Sequence, residues 1–373
     1  MNPPRIYAKI DTGAIAHNTK LIKNKISGSS LMVIVKADGY GHGAARIASL
    51  LQGEADFFAV AELGEALELR ARGIVKPILI LGYTSPTLYK KAIENGIALT
   101  VFSLAAARAL SEQAVASGKT ARVHFAVDTG MGRIGWQVTE SEADEAAEAA
   151  KLPGICAEGI FSHFATADDA DESFSAYQRA EFERFCDMLA RRGVNIPIKH
   201  MNNSAGILRF REQYSMVRAG ILAYGLFPAE NMAKEFSADF PLRPAMELIT
   251  HIAHIKKLAV GKTVSYGATY VTERETLVAT LPVGYADGYP RALSGRGEVI
   301  IHGVRCPIIG RVCMDQMMVD ISAVPNAKIE DEVTLVGANG TEFISAEEIA
   351  ALADTINYEF VCGISKRVPR VYI

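Results

Sequence analysis

The chain has 373 residues, 49% of them hydrophobic and 22% charged, the composition of an ordinary globular protein with room for two domains. Its 39 Lys and Arg stand against 42 Asp and Glu, a formal net charge of −3, so it lacks the basic excess that holds nucleic acid or an anionic membrane by charge alone. No apolar run approaches the ~20 residues a bilayer-spanning helix needs, and Pro3, Pro4, Arg5, Lys9 and Asp11 interrupt the start where a signal peptide has its apolar stretch; a cytoplasmic location and no membrane partner are expected.

From residue 31 to 226 the sequence alternates short β-rich runs with amphipathic or Ala-rich stretches. The runs 31–36, 57–61, 77–81, 98–101, 123–127, 157–161, 198–201 and 216–218 predict eight strands. Between them, 63–72 and 174–192 read as helices stopped by Gly73 and Gly193, and Thr139 with Glu142 reads as a capping box. Eight such units match a closed (β/α)8 TIM-type barrel better than an open doubly wound sheet, and no G-x-G-x-x-G follows the first strand. Pro228, Pro241 and Pro244 mark 227–244 as a linker. Beyond it, runs at 247–260, 276–281, 298–301, 317–321 and 332–336 predict a β-rich C-terminal domain, with one helix at 346–355 behind a second capping box, Ser345 and Glu348. The expected domains are 1–235, the barrel, and 236–373, with segment 1–10 packing on the latter. The five cysteines, at 156, 186, 306, 313 and 362, form no C-x-x-C pair; they read as reduced, mostly buried thiols, and no metal site is expected.

In eight-fold barrels the working residues stand at the C-terminal ends of strands. Lys36 closes the first apolar run and opens a loop holding Gly39, Gly41 and Gly43 around Tyr40 and His42. A desolvated amine in so open a loop can form a Schiff base with an aldehyde cofactor. The small-residue loops after the seventh and eighth strands, containing Ser204 and Gly220, form a candidate phosphate cradle. Arg133 and His163 follow the fifth and sixth strands.

These strings together (VKADGYGHG at 35–43, DTGMGRIG at 128–135, FSHFATAD at 161–168, residues 217–225, SYG at 265–267, GYADG at 284–288, CMD at 313–315 and RVPR at 367–370) resemble those of the alanine racemases, over nearly the whole chain. The resemblance implies pyridoxal 5′-phosphate (PLP) on Lys36, its phosphate held by Tyr40, Ser204, Gly220, Ile221 and Tyr358, with Arg218 at the pyridine nitrogen. A permanently charged arginine hands over no proton, which keeps the ring a weak electron sink. Two acid/base groups must flank the substrate for racemisation; the resemblance assigns them to Lys36 and to Tyr266 from the second subunit of a homodimer. His163 is the implied neighbour of that phenol, Arg133 and Met314 the implied ligands of the substrate carboxylate, and Asp315, Tyr285, Asp168 and Arg291 the supporting or entrance residues.

The implied activity is interconversion of L- and D-alanine, supplying D-alanine for peptidoglycan. A broad-specificity, serine or lysine racemase of the same family is the alternative, and a PLP-binding protein without turnover is a reading from another class. One position departs from the family pattern: Ala126 stands where many members carry a lysine whose carbamate orients the arginine matched by Arg133. A bound small anion, a water cluster or a loop acceptor is expected to take its place.

Overall fold

Parallel strands covered on both faces need apolar side chains throughout, and this chain supplies them as short runs of Val, Ile, Leu and Phe. The computed structural model describes residues 4–26 and 28–373. One strand, β1 (Ile6–Ile10), precedes eight parallel ones: β2 (Ser30–Ile34), β3 (Phe57–Val60), β4 (Ile78–Ile80), β5 (Ile97–Val101), β6 (Ala121–Asp128), β7 (Ile155–Phe161), β8 (Ile198–His200) and β9 (Met216–Ala219). Each pairs with the next, and β9 pairs with β2 to close the barrel. Val33, Phe58, Leu79, Leu99 and Phe125 are among its fully buried residues. All eight strands fall where the apolar runs predict them.

The helices end as their sequences dictate. After Leu63–Ala71 and Ser173–Arg191, the chain turns left-handed at Gly73 and Gly193. Only half of each expected capping box forms: the Thr139 and Ser345 hydroxyls accept from Glu142 N and Glu348 N, while the Glu348 carboxylate is taken by Arg305 at 2.7 Å.

The described chain divides into two compact units, one formed by residues 16–39 and 44–243 and containing the barrel, the other by residues 4–15, 40–43 and 244–373. In the second, β1 lies between β10 (Met246–His251), antiparallel, and the last strand, Arg370–Tyr372, parallel. The rest of that sheet is a run of antiparallel pairings through Glu332–Asn339, Glu298–Ile301, Val304–Ile309, Met317–Asp320, Thr276–Leu281 and His254–Leu258. Residues 247–260 thus make two strands rather than one, broken at Ile252 and Ala253, whose N–H groups go to Asp331 and Thr280. Val304–Ile309 has no counterpart among the predicted strands because Arg305 and Pro307 interrupt its apolar run. The expected linker carries a helix, Glu230–Phe236, anchored by buried Met232. Cys186 and Cys306 are buried, whereas Cys156 and Cys362 are exposed, contrary to the expectation for most of the thiols.

The segment after β2 is a turn of left-handed helix. Ala37, Asp38 and Tyr40, all with side chains, have φ of 52°, 53° and 52°, a conformation costing roughly 1–2 kcal/mol per residue. Hydrogen bonds offset it: Ala37 N donates to Glu65 Oε1 at 2.6 Å, Ala44 N to Asp38 Oδ1 at 3.0 Å and Gly39 N to the Val35 carbonyl at 2.9 Å. In the second unit, Arg370 of the RVPR ending donates to the Gly41 carbonyl at 2.8 Å. A Cβ on Gly41, at φ 78°, lies 2.1 Å from the Val361 carbonyl oxygen, whereas one on Gly193 meets nothing within 4 Å. Gly41→Ala is therefore expected to lower the urea unfolding midpoint by an amount worth at least about 2 kcal/mol, and Gly193→Ala by about 1 kcal/mol. Equal shifts in the two variants contradict the close approach as the reason for the glycine.

Candidate active site

Two loops at the C-terminal end of the barrel, those after β7 and β8, meet on one buried side chain from β9. Arg218, on β9, donates from Nη1 to His200 Nδ1 at 2.8 Å and to the His200 carbonyl at 3.0 Å. Its Nη2 donates to the carbonyls of Ser162 and Met201, both at 2.8 Å, and to His163 Nδ1 at 3.2 Å. The guanidinium also lies over the Phe161 ring, 5.4 Å from its centroid. Burial, with the charge of Arg133 second, pushes Arg218 down to about 9, so it stays protonated at neutrality.

His163 is the point on which the cations converge. Burial is the first cause holding its pKa well below 6.5, and Arg218, Arg133 and Lys36 add to it in that order. The imidazole is therefore neutral near pH 7. Because an arginine can only donate, Nδ1 of His163 is the acceptor and its proton sits on Nε2. Gln178, fully buried, fixes the loop: its Nε2 donates to the His163 carbonyl at 3.0 Å and its Oε1 accepts from Ala165 N at 2.9 Å.

Lys36 is half-buried two residues beyond β2, and Arg133 lies exposed in the loop after β6. Among the described residues Arg133 makes no hydrogen bond or ion pair, and Ala126 is buried with a side chain that carries no acceptor. Ser204 opens the short helix Ser204–Arg209; its buried Oγ accepts from Gly220 N at 3.0 Å and Leu222 N at 3.5 Å, tying the last two βα loops together. Ile221 begins a 3₁₀ turn whose Tyr224 hydroxyl donates to the Ile34 carbonyl at 2.8 Å. Asp168 lies further along its loop, where its carbonyl accepts from Asn231.

The remaining candidates belong to the other unit. Tyr40 is buried, its phenol pushed up by that burial and then by Cys362, with its ring 6.1 Å from that of Tyr358. Tyr266 is 71% exposed on a turn set by Ser265, whose φ is 66° and whose Oγ donates to the Arg311 carbonyl at 2.6 Å. Tyr285 N donates to the Cys313 carbonyl and Ala286 N to the Met314 carbonyl, both at 3.0 Å, bringing the GYADG and CMD strings side by side. Tyr285 and Met314 are both exposed; Asp315 pairs with Arg367 at 2.7 Å, and Arg291 is exposed on its own 3₁₀ turn.

The sequence matches the family model described as alanine racemase, N-terminal domain, over residues 10–228, and the corresponding C-terminal domain over 245–372. The chain belongs to the alanine racemase family. A relative in Clostridium tetani named alanine racemase is 46% identical over 371 residues, covering 99% of this chain and 95% of that one. The alanine racemase of Clostridium difficile 630 superposes with a TM-score of 0.95 at 41% identity, covering 100% and 97%. That of Bacillus anthracis, solved with bound L-Ala-P, does so with 0.94 at 38%, covering 100% and 96%. The chain is accordingly an enzyme, an alanine racemase, as its motifs lead one to expect. No helix among the described residues is long and apolar enough to cross a membrane.

Sequence reasoning passed over four residues of this centre: His124, Glu158, Gln178 and His200. The first, second and fourth are ionisable side chains inside otherwise apolar barrel strands, which is a readable signal. Burial holds His124, His163 and His200 below the ordinary imidazole value of 6.5, and Arg218 adds to it at each. Each binds its proton more weakly folded than unfolded, so the stability it contributes is full above about pH 6.5 and is lost as the pH falls below it. The urea midpoint is expected to drop between pH 7.5 and 5.5 by up to about 1.4 kcal/mol per pH unit for each imidazole that stays neutral. A flat profile across that window contradicts the assignment.

Proposed function

We propose that this racemase interconverts L- and D-alanine with PLP on Lys36, using Lys36 on one face of the substrate and Tyr266 of the partner subunit on the other. The observation that carries this reading is the charge at the barrel mouth: Lys36, Arg133 and Arg218 act together on neutral His163, and among the described residues no carboxylate pairs with Arg133. Such a site favours an anionic cofactor and an anionic substrate.

The residues present fit that cofactor. Ser204 Oγ accepts two backbone N–H bonds, which leaves its own O–H to donate to a phosphate. Ile221 N–H and the phenols of Tyr40 and Tyr358 are the proposed further holders. When bound, PLP lowers the acidity barrier at the substrate Cα by drawing off its electron pair. Arg218 sets how strongly. Fixed by five acceptors and protonated throughout the neutral range, it would offer the bound cofactor's ring nitrogen a hydrogen bond without giving up its proton, which would favour return of a proton to Cα over diversion elsewhere.

Arg133 and the Met314 backbone orient the substrate carboxylate, so that the Cα–H bond points toward one base or the other. Lys36 Nζ takes or returns the proton on its face. Tyr266 does so on the opposite face; a phenol needs a neighbour's help for this near neutrality, and the Nε2–H of His163 is the proposed donor. Tyr266 stands exposed on a turn held by the Ser265 hydroxyl, which suits a residue offered to a second copy of the chain. Tyr285, Asp168, Arg291 and Asp315 are proposed to line or support the entrance. The names of the relatives favour alanine over serine or lysine as substrate, and D-alanine so formed feeds peptidoglycan synthesis in this reading.

The test mixes two inactive variants. Lys36→Ala should lose the visible absorbance of the bound cofactor and nearly all turnover, whereas Tyr266→Phe should keep the absorbance and lose most turnover. After verified subunit exchange, the mixture should regain activity, because a mixed dimer can assemble one intact site. Retained absorbance in Lys36→Ala contradicts the anchor, and absence of rescue contradicts the shared site.

A further inference from the structure

Behind Arg218 a line of polar side chains runs through the barrel away from the mouth. His200 Nε2 lies 2.8 Å from His124 Nδ1, His124 Nε2 lies 3.3 Å from Glu158 Oε1, and the other Glu158 oxygen is ion-paired with Arg122 near the start of β6. Both imidazoles are fully buried and the Glu158 side chain is 7% exposed, while Arg122 reaches solvent.

The direction of every bond follows from its first member. Arg218 only donates, so His200 Nδ1 accepts and carries no proton, and the His200 proton sits on Nε2. That proton is donated to His124 Nδ1, which leaves the His124 proton on Nε2, donated to Glu158. A carboxylate, which only accepts, closes the line in the same sense. Burial works to raise the Glu158 pKa, but the bonds from His124 and Arg122 outweigh it, so the carboxyl stays below its ordinary value and is ionised.

The strands are shaped to hold this arrangement. The β6–β7 register pairs Val123 with Ala157 and His124 with Gly159, so Glu158 is the extra residue of a β-bulge, a device that re-aims one side chain. A Cβ on Gly159 lies 2.1 Å from His124 Nδ1, so only glycine leaves room for the ring. Phe161 stacks on His200 with centroids 4.9 Å apart and planes at 14°.

We propose that Glu158 and His124 are positioning residues for the racemase reaction: anchored by Arg122, the Glu158 carboxylate fixes the tautomers of His124 and His200, so that His200 Nδ1 remains an acceptor and holds the Arg218 guanidinium in place. The catalytic consequence rests on Arg218 facing the cofactor; the tautomers do not.

Selective 15N-histidine labelling of the holoenzyme tests the two parts separately, and with eight histidines in the chain the imidazole spectrum is tractable. In the native enzyme both His124 and His200 are expected to carry the proton on Nε2 alone. Glu158→Leu, which removes the acceptor, should transfer part of both populations to Nδ1–H and lower kcat ~10-fold with little change in KM. Glu158→Gln, whose amide oxygen still accepts, should restore the tautomers and most of kcat. A native enzyme with Nδ1–H on either histidine overturns the proposal even if the leucine variant fails to fold. So does a kcat loss in Glu158→Leu with unchanged tautomers, which leaves Glu158 a merely structural residue. Changed tautomers with unchanged kcat overturn the catalytic role; Arg218→Lys then separates the causes, since unchanged kcat there sinks the reading of Arg218 itself.

Discussion

A buried guanidinium that must find an acceptor for nearly every N–H is the constraint on which this site is built. Arg218 takes two of its partners from the carbonyls of Ser162 and Met201, which lie just beyond β7 and β8, and a third from His200 at the end of β8. Those carbonyls point at the cation because the strands end there, and a barrel of parallel strands ends all of them on one face. The charge then governs its neighbours. It helps keep His163 and His200 neutral, and a neutral His163 is free to donate from Nε2. At Nη1, whose two N–H groups have only the two His200 acceptors, removing either one leaves a buried donor unsatisfied, which costs more than the bond itself contributes.

The second requirement is a lysine at a fixed place, and here strain is the means. A left-handed turn through Ala37, Asp38 and Tyr40 is unfavourable on its own, and it persists because Glu65, Asp38 and the Val35 carbonyl bind its backbone. Tyr266 shows the same logic in the other unit: Ser265 adopts a positive φ, held by its hydroxyl on Arg311, and the phenol stands out into solvent. Strain at both proposed bases is consistent with selection for geometry over stability.

Much of this was legible in the sequence. The eight barrel strands could be read because parallel strands need unbroken apolar runs, and Lys36 stood out because such a run ended in a charge followed by glycines. The left-handed turn could not, since Ala, Asp and Tyr carry no preference for positive φ and only tertiary hydrogen bonds impose it. The Val304–Ile309 strand was hidden by Pro307, which the sheet tolerates opposite Glu298. The relay of His200, His124 and Glu158 lay in plain view as polar residues within apolar strands. Reading it requires knowing that a bulge turns Glu158 toward His124, and periodicity alone predicts the opposite face.

Arg218 serves this site as a donor that never surrenders its proton. Arg218→Glu replaces it with a group that can protonate the cofactor, and the measurement is alanine racemisation against pyruvate released by transamination, in variant protein whose absorbance shows bound cofactor. Racemisation should fall by ~10²-fold or more and the yield of pyruvate per racemisation event should rise. Racemisation at the native rate with no rise in pyruvate contradicts it.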